Sequence, residues 1–221
     1  RKDFDTGLQI LEQLVAEGEP IEALLGRMAW SAGLQAQLGG DREAARRHYL
    51  RARTLGTVEV QRGTALEFFK DEADDAFDRA VEAAVAGEQD SLRLRVAEAV
   101  GLLGTESARY TIGERFVQLA REAIAVEDLD RATSLVEAAM DTAPTLESLA
   151  EVRGAIYFQR AIRAMGERDS VSAVAYAEEA TRVNPGDALA QQLLGELHYA
   201  REEYAAAVGP LDRALAITSL D

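Results

Sequence analysis

The sequence contains no cysteine in 221 residues, which excludes disulfides, thiolate metal sites and cysteine nucleophiles. Lysine is almost absent too: Lys2 and Lys70 stand alone, and arginine supplies the remaining positive charge. Acidic residues outnumber basic ones 39 to 24, for a formal net charge of −15. A surface of that sign repels phosphate backbones, so no nucleic-acid partner is expected. No apolar run approaches the ~20 residues needed to span a bilayer, so no membrane insertion is expected either. Aromatics are only 6% of the chain and prolines number four. Strand-favouring side chains and helix breakers are therefore scarce, while Ala, Leu and Glu abound, and that balance favours helix. Apolar residues reach 48%, enough for a packed core and against disorder. The Ala- and Arg-rich composition fits a GC-rich bacterial genome. Because the sequence opens on Arg1 and not Met, we expect a fragment of a longer protein. Cytoplasm is the default location, with a removed signal peptide left open.

What the sequence does contain is a recurrent spacing. Ala161, Ala173, Ala180 and Pro185 are separated by 12, 7 and 5 residues. The same separations relate Ala120, Ala132, Ala139 and Pro144, then Gly195, Ala207, Ala214 and Ser219, and also Gly33, Ala45, Ala52 and Thr57. A small residue in one helix facing a small residue in the next lets two backbones approach closely. The third small residue, seven further on, lies on the same face of the second helix. A closing proline stops that helix. In "NPGD" (184–187), Asn184 ends a helix, Pro185 prevents its continuation, Gly186 eases the reversal and Asp187 caps the next helix. Each block therefore predicts an antiparallel helix pair followed by a stop.

These blocks, "LLGELHYAREEYAAAVGPLDRAL" (193–215), "RAIRAMGERDSVSAVAYAEEATRVNP" (160–185), "LAREAIAVEDLDRATSLVEAAMDTAP" (119–144) and "AGLQAQLGGDREAARRHYLRA" (32–52), resemble tetratricopeptide repeats. That family has a period of about 34 residues with small residues and a closing proline placed in this way. Gly195 follows Ala161 by 34 residues, whereas Ala161 follows Ala120 by 41. Seven extra residues are two helical turns and keep the apolar face within ~20°, so a lengthened first helix is expected there. The resulting division is 1–19 as the second half of a preceding repeat, 26–59, 113–146, 147–187 and 188–221 as repeats, and 60–112 as an irregular pair. In the first segment, Phe4, Gly7, Leu11 and Leu14 take the places of Tyr204, Ala207, Leu211 and Ala214.

Between the repeats, Leu66, Phe69, Ala73, Ala76, Phe77, Ala80 and Ala84 form one continuous helical stripe with no Gly or Pro from Thr64 to Ala86. One long helix is expected here. The alternative is that the acidic cluster "DEADD" (71–75) starts a second one. "SLRLRVAEAVGLLGTESA" (91–108) supplies a shorter partner that looks more HEAT-like. The expected fold is all-α, a right-handed superhelical solenoid of about eleven antiparallel helices.

No catalytic constellation emerges from the titratable residues. His48 and His198 are far apart and neither lies in a metalloprotease motif; His198 reads as a structural histidine. The Gly pair of "LGGD" (38–41) reads as a turn between helices and not as a phosphate loop. Carboxylates on amphipathic helices are solvated faces with i,i+4 partners. We therefore expect no enzyme activity, no cofactor and no metal. "DREAARRHYLRAR" (41–53) concentrates Arg42, Arg46, Arg47, Arg51 and Arg53. It reads as the exposed back of a helix balancing nearby acids, with a patch for an acidic partner or phosphate as the alternative.

The resemblance implies more about function. In tetratricopeptide arrays the first helix of each pair lines a concave groove that holds a peptide or helix. The lining residues lie three before, one after and four after the small residue. Here these are Trp30, Leu34 and Gln37; Val117, Arg121 and Ile124; Phe158, Ile162 and Met165; Gln192, Glu196 and Tyr199. The set implies a protein or peptide partner with apolar anchors, and the acidic surface favours basic flanks on it. Only Arg121 suits a carboxylate clamp, so that subtype is not expected. The expected function is a non-catalytic interaction scaffold. Alternatives are a regulatory module of a larger multidomain enzyme or signalling protein, and self-association through uncapped ends.

Overall fold

The computed structural model describes residues 22–55, 59–104 and 107–219 and, before them, Thr6, Gly7, Gln9, Ile10 and Gln13; at 22–23 and 59–66 only the backbone is described. Among the described residues there are ten α-helices and no strand. They are α1 (Glu22–Leu38), α2 (Arg42–Thr54), α3 (Glu59–Ala86), α4 (Gln89–Leu103) and α5 (Ala108–Ala125). Next come α6 (Leu129–Thr142), α7 (Ser148–Gly166), α8 (Ser170–Val183), α9 (Ala188–Ala200) and α10 (Tyr204–Thr218). The helix expected within 1–19 lies largely outside the described residues, although the five described there are helical. The closest-packed pairs are α1 with α2, α5 with α6, α7 with α8 and α9 with α10. The chain is thus an all-α helical repeat of packed hairpins.

Two compact units make up the chain, 1–74 with 101–105 and 75–100 with 106–221. In the first, Leu25, Ala29, Ala32 and Ala52 form a core against which Met28, Trp30 and Leu55 pack. In the second, α6 packs on α7, α8 on α9, and α5 also reaches α7, so the hairpins stack in chain order. The long helix α3 runs unbroken through the acidic cluster at 71–75. Its buried residues Phe69, Ala73, Ala76, Phe77, Ala80 and Ala84 keep the helical period across those charges.

The small residues of the recurrent spacing are the contact points of the hairpins. Ala120, Ala132 and Ala139, Ala161, Ala173 and Ala180, and Ala45 and Ala52 are all buried, as are Gly33, Gly195, Ala207 and Ala214. At Gly33 a Cβ would lie 2.8 Å from Tyr49 Cδ1, so only glycine admits the buried tyrosine ring across the pair. A second glycine position lies seven before the small residue. A Cβ on Gly113 would meet the Ala143 Cβ at 2.6 Å, and one on Gly154 would meet the Asn184 Cβ at 2.9 Å. Both partners are the C-cap residue of the second helix. These glycines let a lengthened first helix cross the end of its partner. Twelve residues of α5 precede Ala120, thirteen of α7 precede Ala161, and seven of α9 precede Gly195. The lengthening therefore occurs in α5 as well as α7.

The turn inside each hairpin is equally regular. Seven residues after the small residue the backbone turns left-handed, at Gly40 (φ 76°), Glu127 (φ 61°), Arg168 (φ 62°) and Glu202 (φ 63°). The following residue caps the second helix. The amides of Ala44, Arg131 and Ser172 donate to Asp41, Asp128 and Asp169 at 3.0, 3.1 and 3.0 Å. In the last hairpin the cap residue is Glu203, which makes no such bond. The station around Pro185 matches the sequence reading. Asn184 is the C-cap of α8, and Asp187 accepts from the amides of Leu189 and Ala190 at 2.9 and 3.2 Å. Thr57, the same station after α2, lies outside the described residues.

Candidate functional site

Within the second unit, the first helices α5, α7 and α9 carry most of the groove residues on corresponding turns. Arg121 of α5 pairs with Glu151 of α7 at 3.3 Å, which joins the two helices on that face. Further along α7, Ile162 and Met165 are 42% and 45% exposed although both are apolar. Phe158 is half-buried and packs on the core of Ala161, Leu193, Leu194 and Leu197. On α9, Gln192 donates to Glu196 at 2.7 Å, and Tyr199 is 64% exposed. The Tyr199 ring meets Tyr204 edge-on at 5.4 Å between centroids. Ile124 is half-buried. Val117, by contrast, is 2% exposed and belongs to the core, so it offers no surface to a partner.

The remaining groove residues belong to the first unit. Trp30 packs on the α1 core, Leu34 is half-buried, and Gln37 is exposed and accepts a hydrogen bond from the Tyr49 hydroxyl at 2.7 Å. They form a separate surface there.

Two residues of the second-unit face escaped the sequence rule. Glu151 lies eleven before Ile162, and the exposed Leu189 lies seven before Glu196, so each shares the face of its helix. The signal was available: the helical period continues into the lengthened part of the first helix, beyond the three positions the rule samples.

Arg42, Arg46, Arg47 and Arg51 of α2 are exposed, as the sequence reading has them, and Arg46 and Arg47 each balance a nearby acid. Arg46 pairs with Glu72 of α3 at 3.0 Å, and the Arg42 guanidinium stands over the Phe68 ring at 5.5 Å. Arg53 donates to the carbonyl of Leu102 at 2.9 Å and to that of Gly101, at the C-terminal end of α4, where a cation is favoured. Gly104 (φ 62°) leaves room for that guanidinium, which a Cβ would obstruct. Burial lowers the Arg53 pKa from its ordinary value. Arg47 pairs with Glu43 on the helix itself at 2.9 Å. Three members of the basic stripe, Arg42, Arg46 and Arg53, thus also contact α3 or the C-terminal end of α4.

His198 has a structural setting. Its Nδ1 donates to the Glu203 carboxylate at 2.7 Å, and Arg201 joins the same carboxylate at 3.0 Å. Hydrogen bonding from His198 is the main cause that lowers the Glu203 pKa. Two clefts open in the second unit. One, of about 260 Å³, is lined by Leu92, Val96, Arg93, Ala97, Arg109, Asp141 and Thr142. The other, of about 200 Å³, lies between α6 and α7. Neither includes a groove residue. Among the described residues, no three His, Asp or Glu side chains converge to hold a metal ion, and no helix is long and apolar enough to cross a membrane. No protein-family model and no curated protein matches the chain.

Proposed function

We propose that the chain is a non-catalytic, tetratricopeptide-like scaffold that captures a partner peptide or helix on the α5–α7–α9 face of its second unit. The observation that carries this reading is the exposure of Ile162, Met165 and Tyr199 at corresponding turns of successive first helices. Apolar side chains held in water on a rigid face supply anchoring area at little ordering cost. The Arg121–Glu151 and Gln192–Glu196 pairs on the same three helices add polar groups for fixing register. With 39 acidic against 24 basic residues, the chain favours a partner with basic flanks.

The experiment compares the chain with an Ile162→Asp/Tyr199→Asp variant as bait in extracts of the source organism. Both side chains are exposed, so circular dichroism should remain unchanged. Loss of the specifically retained protein supports the reading, and equal retention by the variant contradicts it.

A further inference from the structure

The cleft of about 260 Å³ in the second unit collects three charged side chains from three helices. From α4 come Leu92, Arg93, Val96 and Ala97, on successive turns of one face. From α5 comes Arg109, and from the end of α6 come Asp141 and Thr142. Leu92 and Val96 are buried and make an apolar wall, whereas both arginines and Asp141 are exposed. No residue of this cleft belongs to the partner-binding face invoked above, so the two readings stand or fall separately.

Among the described residues, none of the three charged groups forms an ion pair, although Asp141 lines the same cleft as both arginines. Elsewhere the arginines of this acidic chain find carboxylates: Arg46, Arg79, Arg95, Arg121, Arg160 and Arg182 all do. Helix preference does not place the charges here either. Arg109 is the second residue of α5 and Asp141 the penultimate residue of α6, so each stands at the helix end whose partial charge repels it. Beside Asp141, the buried Thr142 hydroxyl donates to the Ala138 carbonyl at 2.7 Å. Its oxygen keeps acceptor capacity in the cleft it lines.

The cleft therefore offers donors at Arg93 and Arg109, acceptors at Asp141 and Thr142, and an aliphatic wall. Guanidinium groups suit a carboxylate. A phosphate would bring added negative charge against Asp141, and a simple carboxylate would leave Asp141 unmatched. A ligand that carries an ammonium beside its carboxylate satisfies both ends. The volume exceeds the roughly 150 Å³ that holds a benzene and falls below the roughly 300–1,000 Å³ of pockets for drug-sized ligands. We infer that this cleft binds a free α-amino acid with an aliphatic side chain. Arg93 and Arg109 hold the carboxylate, Asp141 and Thr142 accept from the ammonium, and Leu92 and Val96 receive the side chain.

The test titrates the full 15N-labelled chain with L-leucine and follows backbone amide shifts. Saturable shifts confined to the neighbourhood of Arg93, Arg109 and Asp141 are expected. L-leucinamide, which lacks the carboxylate, and 4-methylpentanoate, which lacks the ammonium, should each bind at least tenfold more weakly. An Arg93→Gln/Arg109→Gln chain should weaken leucine binding at least tenfold, and its helicity should be unaltered because both side chains are exposed. Asp141→Asn should bring leucine down to the affinity of 4-methylpentanoate. Absence of saturable shifts with leucine overturns the inference, and so do shifts centred elsewhere. Equal binding of leucinamide or of 4-methylpentanoate overturns it as well, as does leucine binding that ignores the double arginine variant.

Discussion

Gly195 and Leu211 sit so close that a Cβ on the glycine would lie 2.5 Å from Leu211 Cγ and 3.2 Å from the Ala207 carbonyl oxygen. The same sixteen-residue relation links Gly33 to Tyr49, Ala120 to Val136 and Ala161 to Ala177. Where the first helix offers glycine, the second answers with a large side chain; where it offers alanine, the answer is valine or alanine. Volume is conserved across the hairpin while its distribution changes.

Gly195→Ala should therefore destabilise the protein by about 1–2 kcal/mol, because overpacking outweighs the helix-propensity gain. Leu211→Ala in the same chain should recover part of that loss. A double-mutant cycle on urea midpoints reads the coupling. Additive effects would show that the two residues do not oppose each other.

The left-handed turn residues give a prediction of opposite sign. Glu127, Arg168 and Glu202 occupy a backbone conformation that costs an L-residue about 1–2 kcal/mol, and Gly40 marks the same position without that cost. Each change to glycine should stabilise by up to ~1 kcal/mol, and Gly40→Ala should destabilise by a similar amount. Thermal melts of the four variants check this.

The Arg53 contact to the end of α4 should be worth about 2 kcal/mol, the range for hydrogen bonds made by a charged group. Arg53→Ala should lower the stability of the first unit, measured as hydrogen-exchange protection in α2. Arg53→Lys should not restore it, since one ammonium does not reproduce the guanidinium's two-carbonyl geometry.

Glu203 makes stability depend on acid. The His198 hydrogen bond, together with Arg201, holds its pKa below the ordinary 4.5. A lowered folded-state pKa means stability that is fully present above that value and is lost as pH falls through the folded-state pKa. Urea midpoints should drop more steeply below pH 4.5 in the native protein than in Glu203→Gln. Parallel curves for the two proteins would remove Glu203 from the acid response.

Much of the fold was legible because the hairpin contacts depend on residue size at fixed spacing. Ala161, Ala173 and Ala180 announce their burial by being small, and "NPGD" announces its turn and cap by chemistry. Seams between hairpins were less legible. A period identifies which face of α2 carries Arg42, Arg46 and Arg53, but not that Phe68, Glu72 and the Gly101 and Leu102 carbonyls will cover it. Val117 shows the same limit at the candidate site, since its position matches Phe158 and Gln192 yet it is buried. The turn residues Glu127, Arg168 and Glu202 carry no local mark either, because their conformation is imposed by the hairpin. Only Gly40 reveals that station in the sequence.

The central claim, that the α5–α7–α9 face holds the partner, is tested most directly by site-specific photocrosslinking. A benzophenone side chain would replace Ile162 or Tyr199 in turn, with Leu94, 64% exposed on α4, as the control position. The account predicts one partner adduct from Ile162 and Tyr199 and none from Leu94. An adduct from Leu94 with none from the other two would contradict it.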